Sequence, residues 1–373
     1  MKTYTFAVGF MLTVLFVACS KTSDESTSEN TNFSSSDYGI LLQGSTELNS
    51  TLLSFDGSEL QLSEAQNGFT GIEIPEISYR DKYEYSFYKK TGNCAGEVLV
   101  YDFKKNLETS FSVFSDLGMC NLTIGSIAHD DDTVFLSYMI ESTGKEKKYF
   151  IRFIDKNSGN FVYEDIEIPM PPTQMVASND RLFVLMVDLG NTEENYVSVI
   201  QKSTKETIHE MGLGMDVGTM FVKPDGNIII SYPTLHTTLD SNNLTVAYTQ
   251  YGEGAQPMFF NSMAISFDAS EKMYYTMKTS DGGRIPAVYN FDTSTAVLYY
   301  FENFLTTAQL DVEYNVDYTT AVGYDQKNDL ILVGYKKKGQ ENEGGILRIS
   351  PAPDFSFIDN YDLIGVPLAI FDL

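Results

Sequence analysis

Basic residues are scarce in this chain: 25 Lys and Arg stand against 51 Asp and Glu, a formal net charge of −26. So acidic a body repels polynucleotides and anionic lipid headgroups, which argues against a nucleic-acid partner. Histidine is rarer still. His129, His209 and His236 are far apart, with no pair at metal-ligand spacing, so neither a metal nor a cofactor is expected. A nucleophile elbow is missing, and glycine pairs such as Gly212-Leu213-Gly214 do not join a strand to a helix as a phosphate cradle does. The acidic triplet Asp130-Asp131-Asp132 lacks the alternating ligand spacing of a calcium loop and reads as a tight turn. No catalytic residue is assigned on these grounds, although carboxylate pairs for glycoside hydrolysis are a tertiary fact that sequence does not reveal. Long apolar runs are limited to residues 6–18, which are too few to cross a bilayer. No window carries a capped helical period, and Val, Ile, Tyr, Phe and Thr fill the apolar stretches, so helix is expected to be scarce.

What the chain does have is a repeat. Short apolar strands begin at residues 38, 83, 134, 182, 228, 273 and 330, and Ile228-Ile229-Ile230-Ser231-Tyr232 is the clearest copy. Each copy follows another strand across a turn such as Asp81-Lys82, Asn179-Asp180 or Asp225-Gly226. A period of about 40–50 residues filled with four short strands is the signature of a propeller blade, because one such sheet cannot bury both faces alone. The fold class is therefore all-β, a seven-bladed β-propeller over residues 38–373. Residues 76–80, 127–130, 175–178, 219–222, 263–267, 320–324 and 367–371 are its predicted inner strands. The last of these has no successor, and the first repeat, at residues 38–42, has no predecessor. Pairing of the C-terminal strand with the N-terminal strands is expected to close the ring and remove an exposed sheet edge.

Residues 1–18 read as an export signal ending at Leu15-Phe16-Val17-Ala18-Cys19, which resembles a bacterial lipobox. The resemblance implies cleavage and acylation at Cys19, so the membrane is met through an N-terminal lipid only. Residues 19–37 are rich in Ser, Thr, Asn and acids and form the expected disordered tether. Cys94 and Cys120 then remain as an even pair in an exported protein, which points to a disulfide. The blade reading places both in loops on one face of the ring.

That face carries the loops between second and third strands and between successive blades, and it has the longer connections, around residues 115–126, 234–243, 305–319 and 339–345. Long loops on one side of a rigid ring usually carry binding. The candidate ligand-binding residues are therefore Phe69, Met215, His236, Arg284, Tyr314 and Tyr318. The aromatic rings offer stacking for a planar or sugar-like ligand, and Arg284 offers a guanidinium for a carboxylate or catecholate oxygen. His236 is read as a loop residue, solvated or ligand-binding. Met119, Met170, Met175, Met211, Met215, Met220 and Met263 either fill core gaps or floor a soft pocket.

The lipobox, the acidic tether, the seven-bladed ring and the stretch Ser280-Asp281-Gly282-Gly283-Arg284-Ile285-Pro286-Ala287-Val288-Tyr289-Asn290-Phe291-Asp292 together are similar to one family. It comprises the Bacteroidota surface lipoproteins that accompany TonB-dependent receptors, including those that capture xenosiderophores. The resemblance implies a lipid-anchored outer-membrane protein, facing outward, that binds an iron chelate or other nutrient. It would hand this small-molecule or glycan ligand to a TonB-dependent receptor. The alternatives are a propeller enzyme acting on polysaccharide and a protein-interaction scaffold.

Overall fold

Seven antiparallel sheets account for the strands of the computed structural model, which describes residues 33–63, 68–92, 94–117, 121–141, 146–158, 163–190, 192–260, 262 and 264–373. The export signal, Cys19 and the tether up to residue 32 lie outside the described residues, as do Met119, Cys120 and Met263. With strands lettered a to d outward from the axis, blade 1 is Ser78–Asp81, Glu84–Lys90, Gly96–Asp102 and Leu107–Val113. Blade 2 is Leu122–His129, Thr133–Glu141, Lys147–Asp155 and Tyr163–Ile168; blade 3 is Pro172–Ser178, Arg181–Val187, Asn195–Gln201 and Thr207–Gly214. Blade 4 is Met220–Val222, Ile228–Ser231, Leu235–Leu239 and Val246–Gln250; blade 5 is Ser266–Phe267, Met273–Lys278, Arg284–Asn290 and Thr295–Leu298. Blade 6 is Val316–Asp325, Leu330–Lys337, Glu343–Ile349 and Phe357–Ile364. Among the described residues, helix is confined to a 3-10 turn at Phe301–Asn303 and a π-helical turn at Gln309–Glu313.

The closing blade takes strand a from one terminus and the others from the other: Val366–Asp372, Ser36–Gln43, Glu47–Phe55 and Leu60–Leu62, with Ile72–Glu73 added beside the third. Its seam runs from Tyr38 opposite Asp372 to Gln43 opposite Val366, with a bulge at Leu41/Leu42. A buried carboxylate locks the seam to blade 6. Asp325 accepts hydrogen bonds from the Tyr38 hydroxyl, Ser36 Oγ and the Lys327 and Asn328 amides. Gly39 is required there, because a Cβ would meet the Phe103 ring at 2.5 Å, and that ring stacks on Phe371 at 4.3 Å between centroids.

Why the b strands read as continuous apolar runs is plain from their surroundings. Each is buried on both faces and alternates between two inter-blade cores. Leu182, Val184 and Met186 face blade 2, while Phe183 and Leu185 face blade 4. Ile228 and Ile230 likewise face blade 3, and Ile229 faces blade 5. Each such side chain removed from water contributes about 1.5–3 kcal/mol, so the cores between the sheets hold the ring together. Polar turns finish the strands: Asp130 Oδ1 accepts the Asp132 and Thr133 amides, the tight turn expected of the acidic triplet. At the axis Arg80 reaches from blade 1 to Ser266 Oγ of blade 5 at 2.9 Å and to the Ile370 carbonyl of the closing blade at 3.0 Å. A guanidinium therefore spans the middle of the ring.

Candidate functional site

Three of the six candidate binding residues are packing residues. Phe69 is 7% exposed and sits among Tyr85, Phe87 and Tyr101. Its amide donates to Ser50 Oγ and its carbonyl accepts from the Ser50 amide, so it substitutes for outer-strand backbone where the closing blade's fourth strand is interrupted. Tyr314 is buried against Phe357, with ring centroids 5.4 Å apart. The expected loop around residues 234–243 is instead a two-residue turn, closed by the Tyr232 amide on the Leu235 carbonyl, followed by a strand. His236 is therefore only 2% exposed, enclosed by Tyr251, Phe259, Tyr289 and Phe291. Burial, with the charge of Lys223, lowers its pKa to about 4, and Nδ1 shares a 2.9 Å hydrogen bond with the Tyr251 hydroxyl. A neutral imidazole wedged among rings is a core residue. Of the candidate methionines, Met175 and Met220 are core and Met215 is exposed.

Arg284 and Tyr318 are brought together. Arg284 opens strand c of blade 5 and Tyr318 lies near the start of strand a in blade 6, so both sit on the long-loop face. The guanidinium carbon is 5.3 Å from the centroid of the Tyr318 ring. Two lysines join them. Lys336 is in the cross-strand position to Tyr318 and brings Nζ to 5.8 Å from the ring centroid, while Lys278 lies directly opposite Arg284. No carboxylate of a described residue is within ion-pair reach of Arg284, Lys278 or Lys336. The sequence offered little sign of either lysine, since a lysine ending a strand ordinarily reads as a solvated side chain.

Two other constellations resemble sites and have structural explanations. Ser86 Oγ is 2.7 Å from His129 Nδ1, and His129 Nε2 is 3.4 Å from Glu84 Oε2, the order of a Ser–His–acid triad. Ser86 is 0% exposed, however, and no substrate can reach it; His129 is held neutral, its pKa lowered to about 3 by burial and the nearby Lys156 and Lys82. Glu84 itself is committed to Lys156 at 2.6 Å. A concavity of about 490 Å³ on the outer side of blade 6 is lined by Glu313, Tyr314, Asp359, Asn360 and Asp362. Two of its three acids are already engaged, Asp359 by Arg348 and Asp362 by Lys337 and the Tyr335 hydroxyl. The expected Cys94–Cys120 bridge has one end, Cys120, outside the described residues; Cys94 lies in the b–c loop of blade 1.

No family model matches the chain, and no curated protein matches it in sequence. Solved structures do share the fold. A proposed 6-phosphogluconolactonase from Bacteroides uniformis superposes with a TM-score of 0.52 at 11% identity, over 91% of this chain and 99% of that one. Another, from Bacteroides fragilis, gives a TM-score of 0.51 at 12% identity, over 91% and 98%. A puromycin hydrolase variant gives 0.52 at 10% identity over 88% of this chain, but the chain spans only about half the length of the puromycin hydrolases it matches. Identities this low carry the propeller fold and leave the activity of this chain to be argued from its own residues.

Proposed function

We propose that the protein is a non-catalytic binding lipoprotein of the bacterial surface that takes its ligand on the b–c face, at Arg284, Tyr318 and Lys336. One observation carries this reading: two cations with no carboxylate partner among the described residues flank one aromatic ring, across a blade boundary, in a chain of net charge −26. Surplus acid makes ion pairs easy to form, so cations left open on a rigid scaffold are available to a ligand. On this reading a lipid on Cys19 and the tether hold the ring at the outer membrane, and an iron chelate or other nutrient passes to a TonB-dependent receptor. A Cys94–Cys120 bridge suits the same exported compartment.

The test joins binding to location. The chain from residue 20 onward should bind a ligand from a panel of chelates and glycans, or retain a transporter from outer-membrane extracts. The full chain expressed in a Bacteroidota host should incorporate labelled fatty acid and lose it in Cys19→Ala. Alkylation before and after reduction should add two labels, at Cys94 and Cys120, only after reduction. Loss of all binding to both panel and extracts removes the capture reading, and catalytic turnover dependent on a carboxylate pair would replace it with the enzyme reading.

A further inference from the structure

We infer, resting on that reading, that Lys278, Arg284, Tyr318 and Lys336 form one recognition site for a small, flat ligand carrying one or two negative charges, such as an aromatic or sugar carboxylate. The pairing register builds the row: Lys278 opposite Arg284 in blade 5, and Tyr318 opposite Lys336 in blade 6. Arg284 bridges the two blades through the Tyr318 ring. Like charges placed directly opposite on a sheet repel one another. Lys278 and Arg284 are such a pair, with no carboxylate of a described residue in ion-pair contact with either, so an anion seated between them lowers that repulsion.

Two features narrow the class. A planar guanidinium beside an aromatic ring presents flat surfaces and forked donors, which suit a carboxylate on a ring or sugar better than a spherical ion. The number of charges is capped by what surrounds the patch. Asp281 is exposed at the b–c turn of blade 5 and Asp317 adjoins Tyr318, on a body of net charge −26. A third or fourth negative charge on the ligand therefore meets repulsion instead of a partner.

The test uses the mature chain in detergent and a graded set of probes: benzamide, benzoate, phthalate and benzenehexacarboxylate, followed by calorimetry or saturation-transfer NMR. Phthalate is expected to bind about tenfold more tightly than benzamide, and benzenehexacarboxylate no more tightly than phthalate. Arg284→Met and Lys336→Met should each weaken phthalate about fivefold or more. Lys104→Met is the control, because Lys104 lies over Tyr83 at 4.6 Å in another blade, and it should change nothing. The inference is overturned by absent binding of every probe, by benzamide matching phthalate, by affinity that climbs with each added carboxylate, or by an Arg284→Met chain that binds phthalate normally. Nutrient or receptor binding that survives Arg284→Met, with no carboxylate binding, ends the inference and moves capture to a different part of the ring. The converse result ends the capture reading and leaves the inference.

Discussion

Arg152 and Arg284 occupy strand c of blades 2 and 5, and their fates are opposite. Arg152 is 0% exposed and makes four charge-assisted hydrogen bonds, two to Asp165 and two to Asp116, at 2.6–2.9 Å. The Tyr163 ring covers it at 4.1 Å, and the two carboxylates hold its pKa above the usual guanidinium range despite the cost of burial. Arg284 is exposed and has a tyrosine ring for company. Register makes the difference: Arg152 is mid-strand with Asp165 directly across, whereas Arg284 opens its strand opposite another cation. The saturated arginine is part of the scaffold, and the open one is the group to which the proposed function assigns recognition.

The sharpest way to break this contrast is to remove each arginine in turn. Arg152→Met leaves Asp116 and Asp165 facing each other without a cation, a loss of about 3–5 kcal/mol for a broken buried pair. The lower end is expected because those carboxylates are 32% and 24% exposed, and a urea midpoint measures it. Acid should erode the scaffold next. His129 and His236 have pKa values lowered to about 3 and about 4 by burial, against about 6.5 in an unfolded chain. Between those limits the unfolded state binds more protons, so stability is full above about pH 6.5 and falls by a few kcal/mol as pH drops toward 4. Asp372 acts in the other sense. Burial, with Asp325 nearby, raises its pKa to about 6, so its ionisation penalises folding above that pH and the penalty lifts as pH falls toward 3.8. His236→Gln should flatten the acid limb of a stability–pH curve, and Asp372→Asn should steepen it.

A smaller effect is expected at the seam. Tyr38→Phe removes the hydroxyl donated to buried Asp325, a loss of about 1.5–3 kcal/mol for a hydrogen bond to a charged group, readable as an earlier thermal transition. Arg284→Met should move the urea midpoint least, by no more than about 0.5 kcal/mol, while weakening ligand binding about fivefold or more. Equal stability losses at Arg152 and Arg284 would erase the distinction between scaffold and site.

Much of the ring was legible because its physics is local. Ile228 to Ile230 and Leu182 to Met186 had to be apolar at every position, since both faces of a b strand meet a neighbour. The candidate site was only half legible. Arg284 and Tyr318 were traceable to one face from the blade repeat, but their contact depends on how blades 5 and 6 stack. His236 was misread because Leu235-His236-Thr237-Thr238-Leu239 looks like a polar loop, yet its backbone completes a sheet and its ring fills an aromatic core. Phe69 misled for a related reason: an irregular segment can take an outer strand's place and turn its ring inward.

By itself the sequence determined the number of sheets, their order and the strand exchange between the chain ends, because alternation, turn residues and period are written one blade at a time. Tertiary structure alone decided which cations found carboxylates and which stayed open. That outcome depends on cross-strand register and on contacts between blades, which join residues such as Arg284, Tyr318 and Lys336 that are distant in sequence.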